Sequence, residues 1–199
     1  MSAPLISLIG APASGKTTVA RWLAESLPAR LVLEDYAGNP FLADSYAGRT
    51  EWRLAGQTWF LLSRVRQLAI AAWPEDGLVV SDYAFAQDGL YAQLWLEGDE
   101  LETYRRLAHR VEELVRPPSV LIHLSAPVDL LSERIARRGR DYERNFTEKF
   151  LQKLCRCCEG AVATAECGVL RVDVARHDLT RDDSKSWLLE QLAGMLAGG

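Results

Sequence analysis

Leu5 to Thr18 read LISLIGAPASGKTT, and this stretch decides the fold. Leu5–Ile9 is a short, β-rich apolar run. Gly10 to Thr17 then matches G-x-x-x-x-G-K-[ST], and a helical pattern with Val19, Leu23 and Leu27 follows at once. Strand, glycine loop and helix N-terminus in that order are what a phosphate-binding loop requires. The glycines let the backbone curl so that N–H groups point inward at phosphate oxygens, and the helix adds its positive end. Gly10, Ala11, Ser14, Gly15, Lys16, Thr17 and Thr18 are therefore expected around the phosphates of a nucleoside triphosphate. Lys16 would bridge the β- and γ-phosphates, and Thr17 would offer its hydroxyl to Mg²⁺. The ordinary alternative is a glycine-rich turn with no ligand, and the number of patterned positions argues against it. The loop announces a nucleoside triphosphate without naming a reaction.

Working outward, four more runs resemble Leu5–Ile9: Leu31–Leu33, Leu78–Ser81, Val120–Leu124 and Val169–Val172. They are apolar on both alternate faces, as buried parallel strands are. Helical periodicity fills 15–27, 52–72, 100–115, 128–137, 146–166 and the C-terminal stretch around Trp187, Leu188, Leu192 and Met195. Alternation of this kind predicts a doubly wound α/β fold, with a five-stranded parallel sheet covered by helices on both faces. Pro117 and Pro118 should end a helix just before the fourth strand. No repeat or linker divides residues 1–199, so a single domain is expected, with an Arg-rich appendage at about 134–146.

The 199 residues are 48% hydrophobic and 25% charged, with a net charge of -4. That balance excludes a disordered chain and a whole-surface binder of nucleic-acid polymers, so any anion site must be local. No apolar run reaches the roughly 18 residues that span a bilayer. The first residues lack a basic region of the secretory kind, so the cytosol is the expected compartment. Cys155, Cys157, Cys158 and Cys167 lack the paired spacing of a zinc ribbon and are expected to be reduced thiols, some inside a helix core.

A kinase needs a base for the acceptor hydroxyl, an acceptor pocket and cations over the transferring phosphoryl group. Glu34 ends the second strand, on the side where open α/β sheets bind ligands, and a carboxylate there can accept a proton. A solvated strand-end charge is the plain alternative. Alternation points the neighbouring Asp35 elsewhere. Asp82 ends the third strand, where an acid reaches a Mg²⁺ shell, or merely starts a turn. Arg134, Arg137, Arg138 and Arg140 crowd around Gly139, where the helix should stop. They suit the charge of a transferring phosphoryl, or form a solvated basic face. Gln57 and Arg64, seven apart, share one helix face with Phe60 and Leu61. An amide there can read a nucleobase edge.

Together these segments resemble the deoxynucleoside kinase family, in its bacterial deoxyguanosine/deoxyadenosine kinase branch. The phosphate loop is joined by Glu34…Asn39-Pro40-Phe41-Leu42…Tyr46, by Gln57…Phe60…Arg64…Gln67, by Asp82…Asp88, and by Arg134…Arg138-Gly139-Arg140…Glu143, in the family's order and spacing. The resemblance implies that ATP phosphorylates the 5′-OH of a deoxyribonucleoside, a purine being expected, with Mg²⁺ held by Thr17 and Asp82. It makes Glu34 the general base, pairs Tyr46 with Glu143 on the 3′-OH, and gives Gln57 to the base. Arg64 and Asp88 become a charged pair beside the base. Arg134, Arg138 and Arg140 become lid arginines. Phe60 or Trp59 would stack on the base.

There is one departure. Many members carry an acid-Arg-Ser triplet after the third strand, and here it is Asp82-Tyr83-Ala84. Tyr83 thus takes a place near the 5′-OH, and the charge that would hold Glu34 ionised must come from elsewhere. Two other readings stay open at this level. One is a thymidylate kinase-like monophosphate kinase, using Arg49 or Arg53 in the acceptor site. The other is a non-catalytic nucleotide-binding regulator. A loop near Arg176–Asp182 is expected over the adenine, and the helices near 52–72 and 100–115 are expected to join two copies into a homodimer.

Overall fold

The structure is a computed structural model and describes residues 2–197. Five parallel strands are β1 (Leu5–Ile9), β2 (Arg30–Val32), β3 (Val79–Ser81), β4 (Val120–Ser125) and β5 (Gly168–Asp173). Their order across the sheet is β2-β3-β1-β4-β5, with every pairing parallel. The chain therefore reverses its winding beside β1, and the phosphate loop leaves the sheet at that switch point.

Eight α-helices surround the sheet among the described residues: α1 (Lys16–Ser26), α2 (Leu42–Tyr46), α3 (Arg53–Gln67), α4 (Gln87–Trp95), α5 (Gly98–Glu112), α6 (Val128–Arg138), α7 (Glu148–Ala163) and α8 (Asp182–Ala197). Strand residues divide by parity. Ile6, Leu8, Val120, Ile122 and Leu124 meet α1 and α8 on one face. Ile9 and Leu121 meet α4, α6 and α7 on the other, through Leu90, Leu131, Ile135, Leu151 and Leu154. Neither face is left to water, which explains the uninterrupted apolar runs.

Local chemistry sets the helix ends. Gly139, at φ 62°, closes α6 in the left-handed conformation that favours glycine. Thr147 caps α7, its Oγ1 accepting the Phe150 N–H at 3.2 Å. The expected long helix over 52–72 stops at Gln67 instead. Tertiary bonds take over there: the Ile70 N–H donates to Leu114 O at 2.9 Å and the Arg116 N–H to Leu68 O at 2.8 Å. Pro117 and Pro118 lie between α5 and β4, as expected. The four cysteines are free; Cys158 is buried within α7.

Three further differences separate the structure from the sequence pattern. β2 ends at Val32, so Glu34 stands two residues beyond the strand. Helix α4 carries no clear apolar periodicity in its sequence. The Arg-rich stretch forms no separate appendage: it is the last turn of α6, Gly139, and one 3₁₀ turn over Asp141–Glu143.

Candidate active site

The phosphate loop is shaped by close packing. A Cβ on Gly10 would lie 2.5 Å from Leu124 O and 2.8 Å from Ser14 Oγ, so only glycine fits. Ala13 (φ 63°) and Gly15 (φ 103°) are both left-handed, which helps turn the loop into an anion-binding concavity. A left-handed alanine is sterically costly, and such costs concentrate at binding loops. Ser14 Oγ is buried without a hydrogen-bond partner among the described residues.

Lys16 is buried, and its Nζ donates to the loop carbonyls of Gly10 (2.8 Å) and Ala11 (3.1 Å). Burial lowers its pKa to about 8. Thr17 and Thr18 lie exposed at the mouth. These features fit a triphosphate: inward N–H groups, an ammonium held in the loop, and a hydroxyl at the helix start.

From Thr17 a line of polar contacts runs across the strand ends. Thr17 Oγ1 donates to Asp82 Oδ2 at 2.6 Å, and the Glu34 N–H donates to Asp82 Oδ1 at 2.8 Å. That second bond shows why the chain leaves β2 so early. The Glu34 N–H bonds a side chain, and Leu33 O accepts Gln67 Nε2 at 3.0 Å. Burial raises the pKa of Asp82, while Thr17 and Lys16 pull it down. One hydroxyl and one carboxylate are hard oxygen donors of the kind Mg²⁺ takes alongside phosphate and water, so the residues fit the ion.

Glu34 Oε1 meets Arg64 Nη2, and Arg64 Nη1 meets Asp88 Oδ1. All three side chains are at most 5% exposed, so one buried guanidinium serves two buried carboxylates. Burial raises the Asp88 pKa, against the pull of Arg64. The guanidinium also stands 5.0 Å over the ring of Tyr83 and 5.6 Å from that of Phe60.

Glu34, Arg64, Asp88, Gln57, Phe60 and Tyr46 all line one cavity, so six residues picked from the sequence converge. Gln57 is 2% exposed and its Oε1 has no partner among the described residues. Tyr36 and Tyr91 complete the walls and had been missed. Tyr36 sits within the quoted Glu34–Tyr46 stretch. Tyr91 lies one helical turn beyond Asp88, a spacing visible only once α4 is recognised. The walls close to a free volume of about 10 Å³, room for about one water. Tyr36 contacts Phe60 edge-on at 5.8 Å and stacks on Tyr142 at 6.3 Å.

Other expected residues lie elsewhere. Tyr83 is not on the cavity wall: it is fully buried beneath Arg64, and its hydroxyl bonds Gln67 Oε1 at 2.5 Å. Trp59 is half-buried beside Phe60, off the wall. Glu143 is 4% exposed and is held by Arg138, its Oε2 accepting from Nε at 2.5 Å. It adjoins Tyr46, whose hydroxyl pKa is raised by burial and by Tyr142 and Glu143. The three arginines do not gather over the phosphate loop. Arg134 reaches it, with Nη1 3.4 Å from Ala13 O; Arg138 is on Glu143; Arg140 bonds the Tyr142 hydroxyl at 2.9 Å and covers Tyr36 at 5.6 Å. Arg49 is on the surface with Asp44 and Glu51, and Arg53 stands 6.0 Å from the Trp95 ring. Neither lines the cavity that holds Glu34 and Gln57, which counts against a monophosphate acceptor there. At the expected adenine loop, His177 stacks on Trp187 at 4.1 Å.

Comparison with known proteins agrees with this geometry. The family model described as deoxynucleoside kinase matches residues 6–194. The chain is 28% identical over 198 residues to a deoxyguanosine kinase of Bacillus subtilis (strain 168), covering 96% of this chain and 92% of that one. It is 23% identical over 201 residues to a deoxyadenosine/deoxycytidine kinase of the same organism, covering 96% and 93%. Among solved structures, deoxyadenosine kinase from M. mycoides with bound dATP superposes with a TM-score of 0.80 at 19% identity, over 96% of this chain and 99% of that one. At that identity the likeness speaks for the fold.

Proposed function

This chain belongs to the deoxynucleoside kinase family and is an ATP-dependent kinase of deoxynucleosides; from that premise we propose that its acceptor is a purine deoxynucleoside, with Glu34 as the general base. The observation that carries the reading is the unbroken line Thr17–Asp82–Glu34–Arg64–Asp88, which ties the phosphate loop to the acceptor cavity.

In this mechanism Glu34 accepts the 5′-OH proton as that oxygen attacks the γ-phosphorus. The bond from γ-phosphorus to the β,γ-bridging oxygen breaks, and the products are the deoxynucleoside 5′-monophosphate and ADP. Arg64 supplies the charge opposite Glu34. Lys16 leaves the Gly10 and Ala11 carbonyls for the β- and γ-phosphates, and Arg134 adds a second cation beside the loop. Thr17 and Asp82 would hold Mg²⁺, which supplies charge neutralisation on the phosphate oxygens when bound. Gln57, with an unpartnered buried oxygen, offers an acceptor to a base N–H. Arg64 and Asp88 present a donor and an acceptor beside it. Tyr46 and Glu143 adjoin, as a pair for the 3′-OH would. Arg138 and Arg140 act as lid residues only if their contacts to Glu143 and Tyr142 exchange for phosphate.

Pairing of two copies through α3 and α5 remains part of this reading. Leu62 on α3, Ile70 just beyond it and Leu114 just beyond α5 are about half exposed, and sizing chromatography with a dimer-sized peak is the expected result. No described helix is long and apolar enough to cross a membrane, and a cytosolic location fits the reading.

The test is incubation with Mg-ATP and each of the four deoxynucleosides, scored by monophosphate formed. Deoxyguanosine or deoxyadenosine should have the highest kcat/KM. A pyrimidine ranking first overturns the purine assignment.

A further inference from the structure

A single peptide unit carries the candidate base. β2 ends at Val32, so the peptide between Leu33 and Glu34 lies beyond the sheet ladder, and its two polar groups turn to side chains. The Leu33 carbonyl accepts from Gln67 Nε2 at 3.0 Å, and the Glu34 N–H donates to Asp82 Oδ1 at 2.8 Å. A peptide is planar, with its carbonyl and N–H on opposite edges. Two anchors on those edges fix its orientation and the point from which the Glu34 side chain departs.

Gln67 makes a second bond at the same time. Its Oε1 accepts the Tyr83 hydroxyl at 2.5 Å, and the Tyr83 ring lies 5.0 Å from the Arg64 guanidinium. Gln67 is the last residue of α3, three positions after Arg64, so the two share one turn of helix. Glu34 Oε1 meets Arg64 Nη2, and the path Gln67–Leu33–Glu34–Arg64 thereby closes back on α3. The carboxylate and its counter-charge are both referred to the same helical turn. An amide suits this post because it donates and accepts at once. A carboxylate there would only accept, and an ammonium would only donate.

We propose that Gln67 is a positioning residue for phosphoryl transfer, holding Glu34 within reach of the 5′-OH through the Leu33–Glu34 peptide; this rests on Glu34 being the base. Gln67 is absent from the cavity wall, so it acts through Glu34 and not on the acceptor. The bond to Tyr83 seats the amide, and the bond to Leu33 does the positioning. A misplacement of about 1 Å can cost on the order of 10²-fold in rate. Binding of the acceptor and of ATP draws on other side chains and is spared.

Gln67→Met nearly keeps the side-chain volume and removes both bonds, and Gln67→Leu stands in if it misfolds. With Mg-ATP and whichever deoxynucleoside ranks first, kcat should fall about 10- to 100-fold, while both KM values stay within about twofold of wild type. Tyr83→Phe breaks only the bond to Tyr83, so its kcat should lie at least about fivefold above that of Gln67→Met. A cycle with Glu34→Gln supplies a readout that loosened packing would not move. In the Glu34→Gln background, Gln67→Met should lower kcat by less than about twofold, because the group it positions is gone. Wild-type kcat in Gln67→Met, equal kcat in Gln67→Met and Tyr83→Phe, a loss carried by either KM, or the same fold loss in both backgrounds each overturns the proposal. Retained turnover in Glu34→Gln alone is a separate result, which removes the base and the proposal with it.

Discussion

Arg64 is the counter-charge of Glu34, reached across 30 positions of sequence, where the chain has Tyr83 and no arginine directly after β3. Tyr83 occupies that place and presents its ring to the guanidinium 5.0 Å away. With Tyr83 at that position, Arg64 is the cation that pairs with Glu34. Gln67 fastens the arrangement, accepting from the Tyr83 hydroxyl and donating to Leu33 O beside Glu34.

Arg64→Met leaves two buried carboxylates facing each other without a cation. Removing one partner of a buried pair typically costs about 3–5 kcal/mol, and urea denaturation should show a loss of that order. Adding Asp88→Asn should restore part of it, because one carboxylate fewer needs compensation. Additive losses in the double variant would mean that the two side chains act independently.

Glu34→Gln keeps the main-chain bond to Asp82 and the shape of the cavity but abolishes the base. Turnover should fall by about 10²–10⁴, with the ATP KM within about twofold of wild type. Turnover near wild type in a folded Glu34→Gln protein would remove Glu34 from the mechanism.

Tyr83→Phe separates the two services of Tyr83. It loses the 2.5 Å bond to Gln67, worth about 1 kcal/mol in stability, but keeps the ring beneath Arg64. Its kcat should stay close to wild type. Tyr83→Leu also loses the ring, so kcat should fall there without a large change in ATP KM. Equal kcat in Phe and Leu variants would show that the ring contact is irrelevant to turnover.

Lys16 sets a pH limit. Burial lowers its pKa to about 8, so the free enzyme loses this charge as pH rises through that value. The KM for ATP should rise about fivefold between pH 8 and pH 9, if the neutral amine binds phosphate poorly. Stability runs in the opposite direction. Between the folded value near 8 and the unfolded value of 10.5 the unfolded chain holds more protons, so the burial penalty, complete below pH 8, is relieved as pH rises. A flat KM profile across this range would show that ATP meets a lysine with an ordinary pKa.

Much of the fold is legible because each strand is apolar on both faces and the phosphate loop fixes the first crossover. Helix α4 is not, for a specific reason. Its buried residues include Gln87 and Asp88 along with Leu90 and Ala92, so the stripe that betrays a helix is interrupted where the helix faces a binding cavity. The long helix over 52–72 misleads for another reason. Nothing in its own residues stops it at Gln67, and the stop comes from main-chain bonds to Leu114 and Arg116. Six residues that share one cavity are recognisable by motif, but their connectivity is not. That Arg138 would be taken by Glu143, or that Asp82 would join Thr17 to Glu34, depends on loop geometry that local pattern does not encode.

The near-closure of the acceptor cavity has a kinetic side. A wall set of Tyr36, Tyr46, Phe60 and Tyr91 that leaves about 10 Å³ cannot admit a nucleoside as it stands. Where opening means parting of the Tyr36–Tyr142 stack, the apparent dissociation constant should equal the intrinsic one divided by the parted fraction. Acceptor association should therefore saturate with concentration in stopped-flow traces, at the rate of parting. Weakening the stack from its outer member should speed capture of the acceptor without touching a residue of the cavity wall.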